Sequence, residues 1–95
     1  MAKGAARIGD QSTGHDCHPP QIAVKGSHNV KINGRGAMRV GDKFMVHCCE
    51  FECHPGFLEK GSSTVSINGI PAGRIQDAVG CGGSVATGST DVLIG

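Results

Sequence analysis

The stretch Gly26-Ser27-His28-Asn29-Val30-Lys31-Ile32-Asn33-Gly34 decides the reading of this chain, because it returns as Gly61-Ser62-Ser63-Thr64-Val65-Ser66-Ile67-Asn68-Gly69. A clipped third copy, Gly88-Ser89-Thr90-Asp91-Val92-Leu93-Ile94-Gly95, closes the sequence. Gly36-Ala37-Met38-Arg39-Val40-Gly41-Asp42 follows the first copy, and Pro71-Ala72-Gly73-Arg74-Ile75-Gln76-Asp77 follows the second. The partner of these second blocks for the third copy stands at the other end of the chain, as Gly4-Ala5-Ala6-Arg7-Ile8-Gly9-Asp10. A three-unit ring cut between its two blocks has this sequence, and internal repeats of this kind define the architecture before any single element does.

Each unit reads as β-structure. Val30 and Ile32 alternate with Asn29, Lys31 and Asn33, and Val65 and Ile67 alternate with Thr64, Ser66 and Asn68. Alternation with β-branched residues marks half-buried strands, so the valines and isoleucines are expected to face inward. Asn33-Gly34 and Asn68-Gly69 are turn signals, since both residue types tolerate positive φ. The Ala-Arg-hydrophobic-Gly-Asp block reads as a second short strand closed by a turn, and no segment carries a sustained helical period. The small residues Ala5, Ala6, Ala37, Ala72 and Gly73 permit close approach around an axis. The expected fold is all-β: a small pseudo-threefold conical structure of three circularly closed repeats, forming one domain over residues 1–95. A generic β-sandwich is the plain alternative, and it leaves the circular closure unexplained.

Composition narrows the function classes. The 95 residues include neither Trp nor Tyr, only three Phe, and 16 Gly. A domain so short and so poor in aromatics needs a metal, disulfides or a partner. The net charge of +1 provides no electrostatic footprint for nucleic acid, and stacking platforms for single strands are missing. No apolar run approaches membrane-spanning length and no signal-peptide pattern opens the chain, so export, if it occurs, is expected to use another route. Five cysteines cannot all pair within one chain. In a reducing cytosol thiols bind metal more often than they form bridges.

Every cysteine, and every histidine except His28, lies between the repeated blocks. Loop one, residues 11–25, holds His15, Cys17 and His18. Loop two, residues 43–60, holds His47, Cys48, Cys49, Cys53 and His54, and loop three, residues 78–87, holds Cys81. Equivalent loops of a three-unit ring leave from the same end, so these donors are expected to converge on an apex. Imidazole and thiolate donors suit tetrahedral zinc. His54 precedes Gly61 by seven positions and Cys81 precedes Gly88 by seven, which makes them equivalent. The expected ligands are His15, His47, His54 and Cys81, with His18 as first reserve and Cys17 also competing. The surplus of donors favours a closed, structural site holding one zinc ion over a catalytic one with an open position.

The remaining cysteines, Cys17, Cys48, Cys49 and Cys53, are expected either reduced and packed or joined in one bridge after export; spacing does not choose. His28 occupies the strand position of Ser63 and Thr90 and is expected to face solvent. Arg7 with Asp10, Arg39 with Asp42 and Arg74 with Asp77 recur, either cross-linking neighbouring units or forming solvated surface pairs.

Gly4-Ala5-Ala6-Arg7, Gly36-Ala37-Met38-Arg39 and Pro71-Ala72-Gly73-Arg74 resemble the Pro-Ala-Ala-Arg motif of PAAR-repeat proteins, with the proline kept only at Pro71. The surrounding frame, Arg-hydrophobic-Gly-Asp, Gly-Ser and Val-x-Ile-Asn-Gly, is similar as well, and the resemblance covers essentially the whole chain. It implies a sharp conical cap whose broad base binds a homotrimeric VgrG-like spike, one copy per spike. The tip would be stiffened by zinc, typically on three histidines and one cysteine. The resemblance further implies a type VI secretion machine that delivers the cap from the cytoplasm out of the cell and through a target membrane, with effector proteins as possible further partners, here expected as separate molecules. The tip of a contractile phage tail spike is the alternative. No enzyme activity, catalytic residue or organic cofactor is expected. A zinc hydrolase using Glu50 or Glu52 as base, and a thiol redox or metal-storage protein, are the rival classes; Cys-x-x-Cys pairs are lacking.

Overall fold

In a computed structural model the structure describes residues 2–80 and 82–95; Met1 and Cys81 lie outside them. Every regular element among the described residues is a β-strand: β1 Lys3–Gly4, β2 Lys31–Ile32, β3 Arg35–Gly36, β4 Lys43–Cys49, β5 Glu52–Phe57, β6 Ser66–Ile67, β7 Ile70–Pro71 and β8 Leu93–Ile94. The fold is all-β, as the repeat implies, with extents of 37 × 26 × 21 Å.

Three small antiparallel strand pairs, two of them hairpins, form one end. β2 pairs with β3 across Asn33-Gly34, β6 pairs with β7 across Asn68-Gly69, and β8, at the end of the chain, pairs with β1, at its start. Positive φ at Asn33, Gly34, Asn68 and Gly69 supplies the turn twist that suits two-residue hairpins. The circular closure is therefore physical: the third unit is completed by strands from opposite ends of the sequence.

The axis is marked by a closed cycle of three backbone hydrogen bonds. The Ala6 amide donates to the Gly73 carbonyl, Gly73 to Met38 and Met38 back to Ala6, at 3.0, 2.8 and 2.9 Å. A residue without a side chain is required at Gly73. A Cβ on Gly73 would meet Met38 O at 3.2 Å and Ala6 Cβ at 3.4 Å. On the hairpin side of this ring Ala5, Ala37 and Ala72 pack with Ile32, Ile67 and Ile94, one Ala–Ile set per unit. Each buried isoleucine contributes about 1.5–3 kcal/mol relative to exposure. The strand valines depart from the expected inward pattern. Val30 and Val65 are 36% and 37% exposed, because their carbonyls accept the amides of Ala37 and Ala72 at the rim.

The polar residues repeat as faithfully. Ser27, Ser62 and Ser89 are buried, and each hydroxyl oxygen accepts the amides two and three residues onward. Each hydroxyl also donates across to the next unit: Ser27 to Asn68 Oδ1, Ser62 to the Gly95 carbonyl and Ser89 to Asn33 Oδ1. The recurrent Arg–Asp pairs are not solvated ion pairs. Asp10, Asp42 and Asp77 are buried, and each carboxylate accepts the backbone amide, Nε and Nη2 of its own arginine. Arg7 and Arg39 then cross to Asn33 and Asn68 of the neighbouring unit. The hydrogen-bonded carboxylates raise the pKa of all three guanidiniums further above its ordinary value, against the opposing effect of burial. The block expected as a second strand is thus a strand only at its start, and its Arg-x-x-Asp part is a turn closed by this ion pair.

On the far side of the ring a second core gathers Ala6, Ala23, Met38, Phe44, Leu58, Val79 and Val85. Neighbouring loops are stitched here by the bridges Ala23↔Phe44, Leu58↔Val79 and Ser12↔Val85, one for each pair of units. The last equivalent set of bonds is Met45 to Ile22, Gly80 to Phe57 and Thr13 to Ser84, each amide to carbonyl. Beyond it the three loops differ.

Candidate metal centre

The described segments that continue past the last symmetric set are residues 14–20, 46–55 and 82–83. Loop one turns tightly at Asp16, with φ of 49°, and the amides and carbonyls of His15 and His18 pair with each other. In loop two β4 and β5 extend the ladder with His47 opposite His54, Cys48 opposite Cys53 and Cys49 opposite Glu52. Residues directly opposite on an antiparallel pair share a face. Each of the two hairpins therefore presents a matched pair of imidazoles, and the pairs face one another.

The four rings form one cluster. Their centroids lie 4.5–5.2 Å apart for His18–His47, His18–His54, His47–His54, His15–His18, His15–His47 and His15–His54. One nitrogen from each lies within 4.8 Å of the others. A tetrahedral Zn–N shell of about 2.0–2.1 Å places donors about 3.3 Å apart, so modest ring movements close the set around one ion.

Hydrogen bonds orient the rings. His47 Nδ1 donates to the Pro19 carbonyl at 2.7 Å, which leaves its Nε2 lone pair directed at His15 Nε2, 3.1 Å away. His18 Nε2 donates to the Glu52 carbonyl at 3.2 Å, with the Glu52 carboxylate at 3.5 Å. His18 Nδ1 is buried and has no hydrogen-bond partner. A buried acceptor nitrogen without a donor is costly unless something electropositive meets it. Partners that fix the second ring nitrogen are the usual support of metal-bound histidine. Burial pushes the His47 pKa below its ordinary value, more than the Pro19 carbonyl raises it, and the neighbouring imidazoles lower it further. A neutral imidazole is the form that binds metal. The donor chemistry, the facing lone pairs and the unpartnered His18 nitrogen all fit a divalent cation.

Of the residues singled out by sequence, His15, His47 and His54 lie together in this cluster, and His18, the reserve, is an equal member. Cys81 lies outside the described residues. Its neighbour Gly82 is packed on the cluster, since a Cβ there would stand 2.9 Å from the His15 ring, so loop three does reach the apex. His28 is exposed, as expected. The other four cysteines differ from expectation: they form two bridges, Cys17–Cys49 and Cys48–Cys53. The reason is register. Cys48 and Cys53 are opposed on the ladder with Cα atoms 4.1 Å apart, and the loop-one turn sets Cys17 beside Cys49 at 5.4 Å. The near-palindrome His47-Cys48-Cys49-Glu50-Phe51-Glu52-Cys53-His54 is the signal that announces this hairpin, and His15-Asp16-Cys17-His18 announces the smaller one.

A threefold all-β ring carrying an apical imidazole cluster is the class of structure these observations define. No family model matches the chain. It is similar to the NAD(P)(+) glycohydrolase toxin Tse6 of Pseudomonas aeruginosa, 39% identical over 80 residues, which cover 78% of this chain and 19% of that protein. It is equally similar to the (p)ppApp synthetase toxin Tas1 of another Pseudomonas aeruginosa strain, 39% identical over 80 residues, covering 78% of this chain and 18% of the toxin. The chain thus spans about a fifth of the length of the curated relatives it matches.

Proposed function

We propose that this chain is a PAAR-type tip: a single-domain, metal-stiffened cone that caps the homotrimeric, VgrG-like β-helical spike of a type VI secretion machine. The observation that carries the reading is the closed threefold ring, in which strand pairs, serines, isoleucines and Arg–Asp turns recur once per unit. A trimeric β-helix ends in three unpaired strand edges, and exposed edges invite further pairing. Three short strand pairs around one axis match that symmetry, so one copy serves one trimer. The sharp end is then the imidazole cluster, farthest from the partner.

In this reading one structural zinc ion is held by His15, His47 and His54 together with Cys81 or His18. Zinc supplies a closed four-coordinate cross-link and no chemistry on a substrate. The chain's own residues do the rest. The Pro19 and Glu52 carbonyls orient His47 and His18, and the Arg–Asp turns hold the loop bases at fixed spacing under axial load. The catalytic names of the relatives belong to toxins about five times longer. On this reading the catalytic segments of those toxins lie outside the stretch that this chain matches, and this chain is itself not an enzyme. It is made in the cytoplasm and leaves the cell on the spike, with effectors as further partners, and it pierces a target membrane without spanning it.

The test is stoichiometric binding. Mixed with a trimeric VgrG-type spike of the same machine, the protein should bind at one copy per trimer, at the β-helix end. Binding to monomeric partners alone, or at three copies per trimer, would contradict the reading.

A further inference from the structure

The apex has no hydrophobic core of its own. Neither core cluster contains a residue of segments 14–20 or 46–55, and of the side chains in those segments only His18 and His47 are buried. A region without apolar burial must be held by cross-links. Two disulfides are placed for this. Cys17–Cys49 ties the His15/His18 turn to β4, and Cys48–Cys53 rungs β4 to β5 immediately beyond the His47–His54 pair. Every imidazole of the cluster is within two residues of a bridged cysteine, so the bridges fix the same backbone that the ring nitrogens would fix through a metal.

We propose that the two bridges are a second, redox-formed lock on the apex, and that either lock alone, bridges or metal, keeps the apex folded. The clause about metal rests on the preceding reading of the cluster. In a reducing compartment the four thiols are free and the cation holds the loops. On meeting a disulfide oxidant the bridges close, and the apex keeps its shape when the cation is lost. Each closure is a thiol–disulfide exchange. One protein thiolate attacks the oxidant's disulfide, forming a mixed disulfide and releasing one thiol. The second protein thiolate displaces the other, so two electrons and two protons pass to the oxidant for each bridge formed. Cys17, Cys48 and Cys53 are exposed, which leaves both bridges within reach of a soluble oxidant such as oxidised glutathione.

Amide hydrogen exchange over residues 14–20 and 46–55 tests this in four states: oxidised with glutathione disulfide or reduced with a phosphine, each zinc-loaded or stripped with EDTA. Thiol counts and elemental zinc verify each state. Protection should persist in three states and fall at least tenfold only in the reduced, metal-free protein. The quadruple variant C17S/C48S/C49S/C53S, which keeps Cys81, should behave as the reduced protein does, and the phosphine arm gives the same answer if that variant does not fold. Oxidised metal-free protein exchanging as fast as reduced metal-free protein would overturn the proposal, as would full protection in the reduced metal-free state. Failure to bind zinc in any state would overturn the metal reading and the two-lock claim with it. The two metal-free arms would then show separately whether the bridges hold the apex.

Discussion

The two ends of this molecule are built on opposite principles. At the hairpin end the main stabilising devices occur once per unit: an Ala–Ile pair, a buried serine and an Arg–Asp turn. At the apex nothing repeats. One segment is a two-residue turn with two imidazoles, one a long hairpin with two more, and the third a short loop. Repetition at the base lets a short chain close a ring without large aromatic residues, because small side chains and paired polar groups do the packing. Asymmetry at the apex brings four imidazoles to one point from only two of the three loops. The base is held by burial and hydrogen bonding, and the apex by cross-links.

Variants can break this contrast. Replacing Asp42 with alanine removes three bonds to Arg39 and leaves a half-buried guanidinium with Asn68 as its remaining partner, which should cost about 3 kcal/mol. Asp77→Ala should cost nearly the same in denaturant titrations, since its carboxylate binds its arginine as Asp42 does, and Asp10→Ala somewhat more, since Asp10 also accepts from Thr87 Oγ1; a loss at Asp77 far from that at Asp42 would show that the ring is threefold in appearance only. Stripping metal from the reduced protein should lower Tm by about 10 °C, the scale expected when a ligand well above its Kd is removed from a domain of this size. An unchanged melting curve after verified metal removal would dissolve the contrast from the apex side.

Mild acid should act on the apex before the base, whose carboxylates, such as hydrogen-bonded Asp91, protonate only at lower pH. His47 has its pKa depressed below 6.5 by burial, so the folded protein favours the neutral ring. Its contribution is present above the unfolded pKa and is lost as pH falls through the depressed folded value. Metal-free protein should therefore lose apex protection on acidification below about 6.5, while the base amides keep theirs. The smallest effect belongs to His28, exposed in the bend that precedes β2 at the base. His28→Ala should change stability by less than about 0.5 kcal/mol and leave metal content unaltered.

The sequence reveals the two ends unequally, for a physical reason. The base is legible because its devices are tied to local sequence: Asn33-Gly34 and Asn68-Gly69 set hairpins, and the Arg-x-x-Asp turns recur in register. Even there, Val30 and Val65 sit half-exposed at the rim rather than inward, and period-two alternation does not encode that. The convergence of loop donors was legible from circular closure. The equal standing of His18 was not, because it depends on a two-residue turn at Asp16 in αL conformation, which places His15 and His18 opposite each other. The two bridges were hidden for a similar reason. Cysteine spacing is silent on connectivity, while the ladder register that opposes Cys48 to Cys53 decides it at once.

The most direct test is metal-edge X-ray absorption on zinc-loaded protein. The account predicts one zinc per chain in a four-coordinate shell, with at least three nitrogen donors at about 2.0–2.1 Å and at most one sulfur at about 2.3 Å. A sulfur-dominated or six-coordinate oxygen shell, or no stoichiometric zinc, would contradict it.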